Sequence, residues 1–105
     1  MELRCEDYGY DLIFNIKKPT GEVEDITGVQ EVTLLVATQK TFRNILEGVC
    51  TVVNAANGKV KYSVKPEDFM KAGNYIGAVR IKYNANKTVT TGDVLMVIKE
   101  AYNKV

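Results

Sequence analysis

Residues 58–83 constrain the fold most, because they hold two runs with strand periodicity and the short corner that joins them. In the first run Val60, Tyr62 and Val64 alternate with polar residues, as in a strand with one buried and one solvated face. In the second run the residues that share one face are again two apart: Tyr75, Gly77, Val79, Ile81 and Tyr83. Two adjacent strands are therefore predicted.

The corner between these runs, residues 66–72, predicts one or two helical turns. Pro66 favours a helix start, the acids Glu67 and Asp68 suit its first turn, and Gly73 is suited to end it. Strands joined by such a corner are expected on opposite sheets of a β-sandwich. In immunoglobulin-like sandwiches a Tyr at the start of the penultimate strand bonds back to the corner backbone, and Tyr75 is placed for that role.

Further strands are predicted where apolar residues alternate or β-branched residues cluster, in residues 8–17, 31–37, 49–53 and 88–99. The second of these is apolar on both faces, which indicates a central strand. Asn57 and Gly58 predict a hairpin turn, Gly92 and Asp93 a bulge or bend, residues 22–28 a short extended piece and residues 38–46 a loop.

The resulting prediction is one all-β domain over residues 1–105, an immunoglobulin-like sandwich of about seven strands with a short helical turn near 66–72. A barrel is the alternative. The predicted core is the set of inward positions on these strands: Leu12, Phe14, Ile16, Val32, Leu34, Val36, Val60, Tyr62, Val64, Tyr75, Val79 and Ile81.

Charge and residue content argue against several classes of partner. The 14 basic and 13 acidic residues leave a net charge of +1, so nucleic acid is not an expected partner. No run approaches the roughly 18 apolar residues of a membrane span. With no His, Cys5 and Cys50 are too few for a metal site, and free thiols are favoured over a pairing between them, which stays open. No metal or cofactor is expected.

The chain also lacks an obvious catalytic constellation. It has no His and one Ser, Ser63, on the polar face of a strand. Glu22, Glu24 and Asp25 lack calcium-loop spacing and indicate a solvated acidic turn. The acids of the corner, at residues 67 and 68, are explained by a helix N-terminus. The prediction is that the protein is not an enzyme.

Two surface features suggest binding. Lys59, Lys61 and Lys65 form a stripe on one strand, interpreted as protection against edge-to-edge pairing, with an anionic partner as the alternative. Among the tyrosines, Tyr8, Tyr10 and Tyr102 remain as candidates for stacking on a sugar.

The two terminal strands also carry apolar residues on their outward faces. The candidate interaction residues are therefore Ile13, Leu95 and Val97. The alternative is that Ala101 and Tyr102 cover Leu95 and Val97.

With the strands placed, the chain resembles the N-terminal immunoglobulin-like domain of phage baseplate upper proteins and related small phage or prophage structural domains. The matching pieces are LIFNI (12–16), EDITG (24–28), NGKVKY (57–62), PEDF (66–69), GNY (73–75) and VLMVI (94–98).

The resemblance implies a non-catalytic module of the virion baseplate, tail or fibre, assembled in the bacterial host cytoplasm. Its partners would be other virion proteins, with homo-oligomerisation possible. A carbohydrate-binding or adhesin-type sandwich is the alternative function.

Overall fold

The structure, a computed structural model, describes residues 1–91 and 94–100, and in these ranges it contains β-strands and no helix. In chain order the strands are β1 (Glu2–Arg4), β2 (Asp11–Asn15), β3 (Glu31–Thr38), β4 (Asn44–Val49), β5 (Thr51–Asn54), β6 (Lys59–Ser63), β7 (Gly73–Asn84), β8 (Lys87–Thr90) and β9 (Val94–Lys99). The predicted bend at Gly92 and Asp93 and the predicted cover by Ala101 and Tyr102 lie outside the described residues.

The strands form two sheets that share one core. The larger sheet has the order β1-β9-β7-β3-β4, with β8 beside the second half of β7, and the smaller has the order β2-β6-β5. Strand β1 is parallel to β9, and the other pairs are antiparallel. The chain passes from the smaller to the larger sheet between β6 and β7, as the sequence predicts. The all-β, sandwich-like architecture is thereby confirmed.

The described strands number nine, against about seven predicted. Strand β1 has only three residues, too few to show a periodicity. Half of strand β4, residues 44–46, lies within the predicted loop 38–46, where a register shift opposite Val36 and Ala37 interrupts the alternation at Ile45. The predicted last strand, 88–99, is two strands that pair with successive halves of β7.

The core agrees closely with the predicted pattern. Eleven of the twelve predicted residues are buried, and Phe14 is half-buried against them. Six further buried residues complete the core: Cys5, Ile26, Cys50, Phe69, Met96 and Ile98. Each large apolar side chain buried here contributes about 1.5–3 kcal/mol, so the alternation alone identifies most of the stabilising surface.

The predicted helical turn at 66–72 is wrong. The Asp68 carboxylate accepts a hydrogen bond from the Lys65 backbone N–H at 2.8 Å and another from the Tyr62 hydroxyl. Glu67 has a φ of 76°, which a right-handed helix does not allow. An acidic side chain that bonds to nearby backbone offers an alternative to helical hydrogen bonding, and here it produces a turn.

Tyr75, in contrast, does bond back to the corner. Its hydroxyl donates to the Lys71 carbonyl at 2.9 Å, and its ring is buried near the start of β7. This confirms the predicted tyrosine corner, which ties the crossing segment to the larger sheet.

Candidate interaction surface

The outer side of the larger sheet carries an apolar patch where a solvated face would be polar. Its members alternate along three adjacent strands with the buried residues of the core. We call this patch the outer apolar face and define it by Leu35 and Ala37 of β3, Ile76 and Ala78 of β7, and Leu95 and Val97 of β9.

Strand register brings these side chains into rows. Ile76 of β7 lies opposite both Leu95 of β9 and Ala37 of β3, and Ala78 lies opposite Leu35. Leu95 is 53% exposed, and the other five members are half-buried. Cross-strand neighbours at these positions are within contact distance. Val97 lies opposite Asn74 and joins the patch as the next outward residue after Leu95 on β9.

Charged residues lie at the sides and ends of the outer apolar face. Glu2 and Lys99 form an ion pair at 3.4 Å on the β1 side, and Glu47 lies opposite Leu35 on the β4 side. Toward one end of the sheet, Glu31 lies opposite Lys82. An apolar centre with a rim of both charge signs is the usual anatomy of a protein-binding surface.

The structure separates the three predicted interaction residues. Leu95 and Val97 lie together on the outer apolar face. Ile13 lies on β2 of the smaller sheet, opposite Lys61, and is 50% exposed. It borders a cleft with Met1 and Val94 instead.

The sequence did not identify the other four members of the face, because they meet only through strand register. The available signal was β3, whose apolar residues on both faces were interpreted as marking a central strand. Strand β3 is central, between β7 and β4. Its second apolar side, at Leu35 and Ala37, belongs to the outer apolar face.

The lysine stripe does not protect a sheet edge. Its strand, β6, is the middle strand of the smaller sheet, so both of its sides are already paired, and the edge interpretation is wrong. Lys59 and Lys61 are half-buried on the outer side of that sheet, and Lys61 lies 3.7 Å from the Asp11 carboxylate.

The candidate tyrosines do not form a shared exposed platform in the described chain. Tyr8 is exposed, whereas Tyr10 is half-buried, and burial raises the pKa of its hydroxyl. Tyr102 lies outside the described residues.

Two residues of the predicted acidic turn, Glu24 and Asp25, have hydrogen-bond partners. The Asp25 carboxylate accepts hydrogen bonds from the hydroxyl and N–H of Thr27, which lower its pKa. Glu24 accepts a hydrogen bond from the Tyr83 hydroxyl at 3.1 Å. Within residues 1–91 and 94–100, no group of acidic, Cys or His side chains has the arrangement of a metal site.

Both cysteines are free and buried, in agreement with the favoured interpretation. Burial raises the pKa of the Cys50 thiol to about 11. A thiol in that state is a poor nucleophile at neutral pH, so Cys50 acts as a small apolar core residue.

No helix that is long and apolar enough to cross a membrane occurs among the described residues.

Comparison with known proteins gives a family and a fold. Residues 6–104 match the family described as the BppU N-terminal domain. The fold is similar to the N-terminal domain of phage TP901-1 ORF48, with a TM-score of 0.71 and 16% identity over 93% of this chain and 82% of that chain. The V domain of amphioxus IgVJ-C2 is far less similar, with a TM-score of 0.34 and 10% identity over 94% of this chain and 99% of that chain. Among curated proteins, none matches this chain in sequence.

Proposed function

The chain belongs to the family of BppU N-terminal domains, the N-terminal domains of phage baseplate upper proteins, and on that premise we propose that it binds another virion protein through its outer apolar face. It acts as a non-catalytic structural module and joins the particle during assembly in the host cytoplasm. The observation that carries this proposal is the apolar row from Leu95 through Ile76 to Ala37 on the solvent side of the larger sheet.

The size of the face sets what the partner must cover. Three strands about 4.8 Å apart, with side chains about 6.7 Å apart along each strand, give an apolar centre of roughly 200–300 Å². A specific interface buries about 800 Å² on each partner. The partner therefore also covers the charged rim, and Glu2, Glu31, Glu47, Lys82 and Lys99 contribute to its selection.

Leu95 is the most exposed member of the face, and it supplies the contact that is easiest to remove. A lysine there would place a charge in the part of the interface that excludes water, which costs several kcal/mol when no partner group compensates it. Because every 1.4 kcal/mol changes an equilibrium constant tenfold, binding should fall at least a hundredfold.

The test is a complementation assay in the phage that encodes this chain. The gene is deleted and supplied in trans, and the chain is quantified in purified particles. We expect Leu95→Lys combined with Ile76→Lys to lower incorporation at least tenfold. Ile13→Lys is the matched control, an exposed apolar residue on the other sheet, and should be incorporated like wild type. Circular dichroism of both purified variants verifies folding. Normal incorporation of a folded double variant would refute the proposal.

A further inference from the structure

Residues 44–54 form an edge of both sheets. Strand β4 is the last strand of the larger sheet and β5 is the last strand of the smaller one, and only Cys50 separates them. The Cys50 N–H donates to the Val32 carbonyl at 2.8 Å, which holds the crossing point in place. We call residues 44–54 the β4–β5 edge.

This edge is long and carries little protection. Exposed edges are normally short or guarded by Pro, Lys or other charges. The β4–β5 edge has eleven residues, no Pro, no Lys and one charged residue, Glu47. Four of its residues are exposed and strongly apolar: Ile45, Val49, Val52 and Val53. The edges at β1 and β8, by comparison, have three and four residues and carry charged side chains.

The irregularities of the edge are symmetric about Val49. Register shifts leave Ile45 as the extra residue of β4 and Val53 as the extra residue of β5, four positions to either side. Val49 itself is 67% exposed, more than any other aliphatic residue described as exposed. Two such edges can therefore pair antiparallel about a two-fold axis at Val49. In that pair the extra residue of β4 in one copy meets the extra residue of β5 in the other.

From this symmetry we propose that the β4–β5 edge pairs with the same edge of a second copy of the chain, antiparallel and centred on Val49. Residue numbers across the pair then sum to 98. Val49 faces Val49 of the second copy, Ile45 faces Val53, and Glu47 faces Thr51. Glu47, the one charged residue of the edge, thus does not face Glu47 of the second copy. The net charge of +1 opposes self-association only weakly.

The length of the edge suffices for a specific interface. An antiparallel ladder over eleven positions makes roughly eight to ten main-chain hydrogen bonds, allowing for the two bulges. Specific interfaces carry about ten. Phe42, 66% exposed, lies just before the edge and adds an exposed aromatic side chain near each end of the pair.

Glu47 borders both surfaces, but the other residues of the β4–β5 edge lie outside the outer apolar face and its charged rim, so the two proposals are tested separately. Sedimentation equilibrium of the purified chain should show a monomer–dimer equilibrium. Val49→Lys, and separately Val53→Lys, should raise the dimer dissociation constant at least tenfold. Val89→Lys, an exposed valine on β8, and Leu95→Lys should leave it unchanged. Val49 and Val53 lie on different strands, so the second lysine variant keeps the test valid if the first one fails to fold.

Cross-linking tests the register itself. Val49→Cys places two thiols at the two-fold axis, and oxidised glutathione should convert them to an intermolecular disulfide within the dimer. Val89→Cys is the control and should stay monomeric under the same treatment. The native thiols are buried and do not compete. A wild type that stays monomeric at millimolar concentration, a dimer insensitive to Val49→Lys, or a dimer abolished by Leu95→Lys would each overturn the proposal.

Discussion

Gly48→Ala should destabilise this protein severely, although the backbone at Gly48 has no positive φ. A Cβ added at Gly48 would meet three ring carbons of Tyr62, two of them at 2.7 and 2.8 Å. The ring cannot move away easily, because it is 2% exposed and its hydroxyl is bonded to Asp68. The glycine is therefore required by the close approach of β4 to an aromatic ring of the facing sheet.

The expected magnitude follows from two opposing terms. Overpacking a rigid core costs about 1–3 kcal/mol and occasionally more. Replacing Gly by Ala also lowers the conformational entropy of the unfolded chain, which stabilises the folded state by about 0.4–1 kcal/mol. The overlap with Tyr62 places Gly48→Ala at the upper end, a net loss of about 2–3 kcal/mol. For a domain of this size, that lowers the melting temperature by roughly 10–20 °C.

Gly77→Ala is the matched comparison for the same experiment. Its added Cβ would meet the Met96 sulfur at 2.6 Å, at the flexible part of that side chain. We expect Gly77→Ala to lower the free energy of unfolding by about 1 kcal/mol less than Gly48→Ala does, or by a still smaller amount. The measurement is urea unfolding followed by circular dichroism. In a Tyr62→Leu background the further cost of Gly48→Ala should largely disappear. A stable Gly48→Ala variant, or an unchanged cost in that background, would refute the explanation.

Two further predictions concern the corner and the buried thiol. Tyr75→Phe removes the hydrogen bond to the Lys71 carbonyl and should lower the free energy of unfolding by about 1 kcal/mol, measured in urea; an unchanged midpoint with an unchanged slope would contradict the role assigned to the corner. Burial raises the pKa of Cys50 from 9.0 to about 11 in the folded state. The stability that the neutral thiol contributes is therefore fully present below pH 9 and is lost as the pH rises toward 11. The loss in the free energy of unfolding is at most about 3 kcal/mol. Cys50→Ala should flatten the decline in urea midpoint between pH 9 and 10, and an equally steep decline in that variant would assign it to other groups.

Alternation predicted the core because the side-chain period of a strand is visible wherever one face is buried. Tyr62, Val79 and Ile81 were placed correctly on that basis alone. The corner was predicted wrongly, because Pro66 and two acids suit a helix start as well as a turn. What decided between them was the pairing of Asp68 with Tyr62 and Lys65, which depends on the folded chain.

The candidate surface was only partly predictable for a related reason. Leu95 and Val97 were identified because their own strand shows them to be outward and apolar. Ile76 and Leu35 join them only through the register of β7 with β9 and β3, which no single segment encodes. Ile13 had the same local pattern as Leu95, and the assignment of its strand to the smaller sheet separates the two.

The proposed binding of another virion protein by the outer apolar face can be seen in a cryo-electron microscopy map of an assembled baseplate that contains this chain. We expect a neighbouring protein of the particle to cover Leu95, Ile76 and Leu35, while Ile13 does not share that contact. A map in which the outer apolar face points to solvent, with the chain held in the particle by other surfaces, would contradict it.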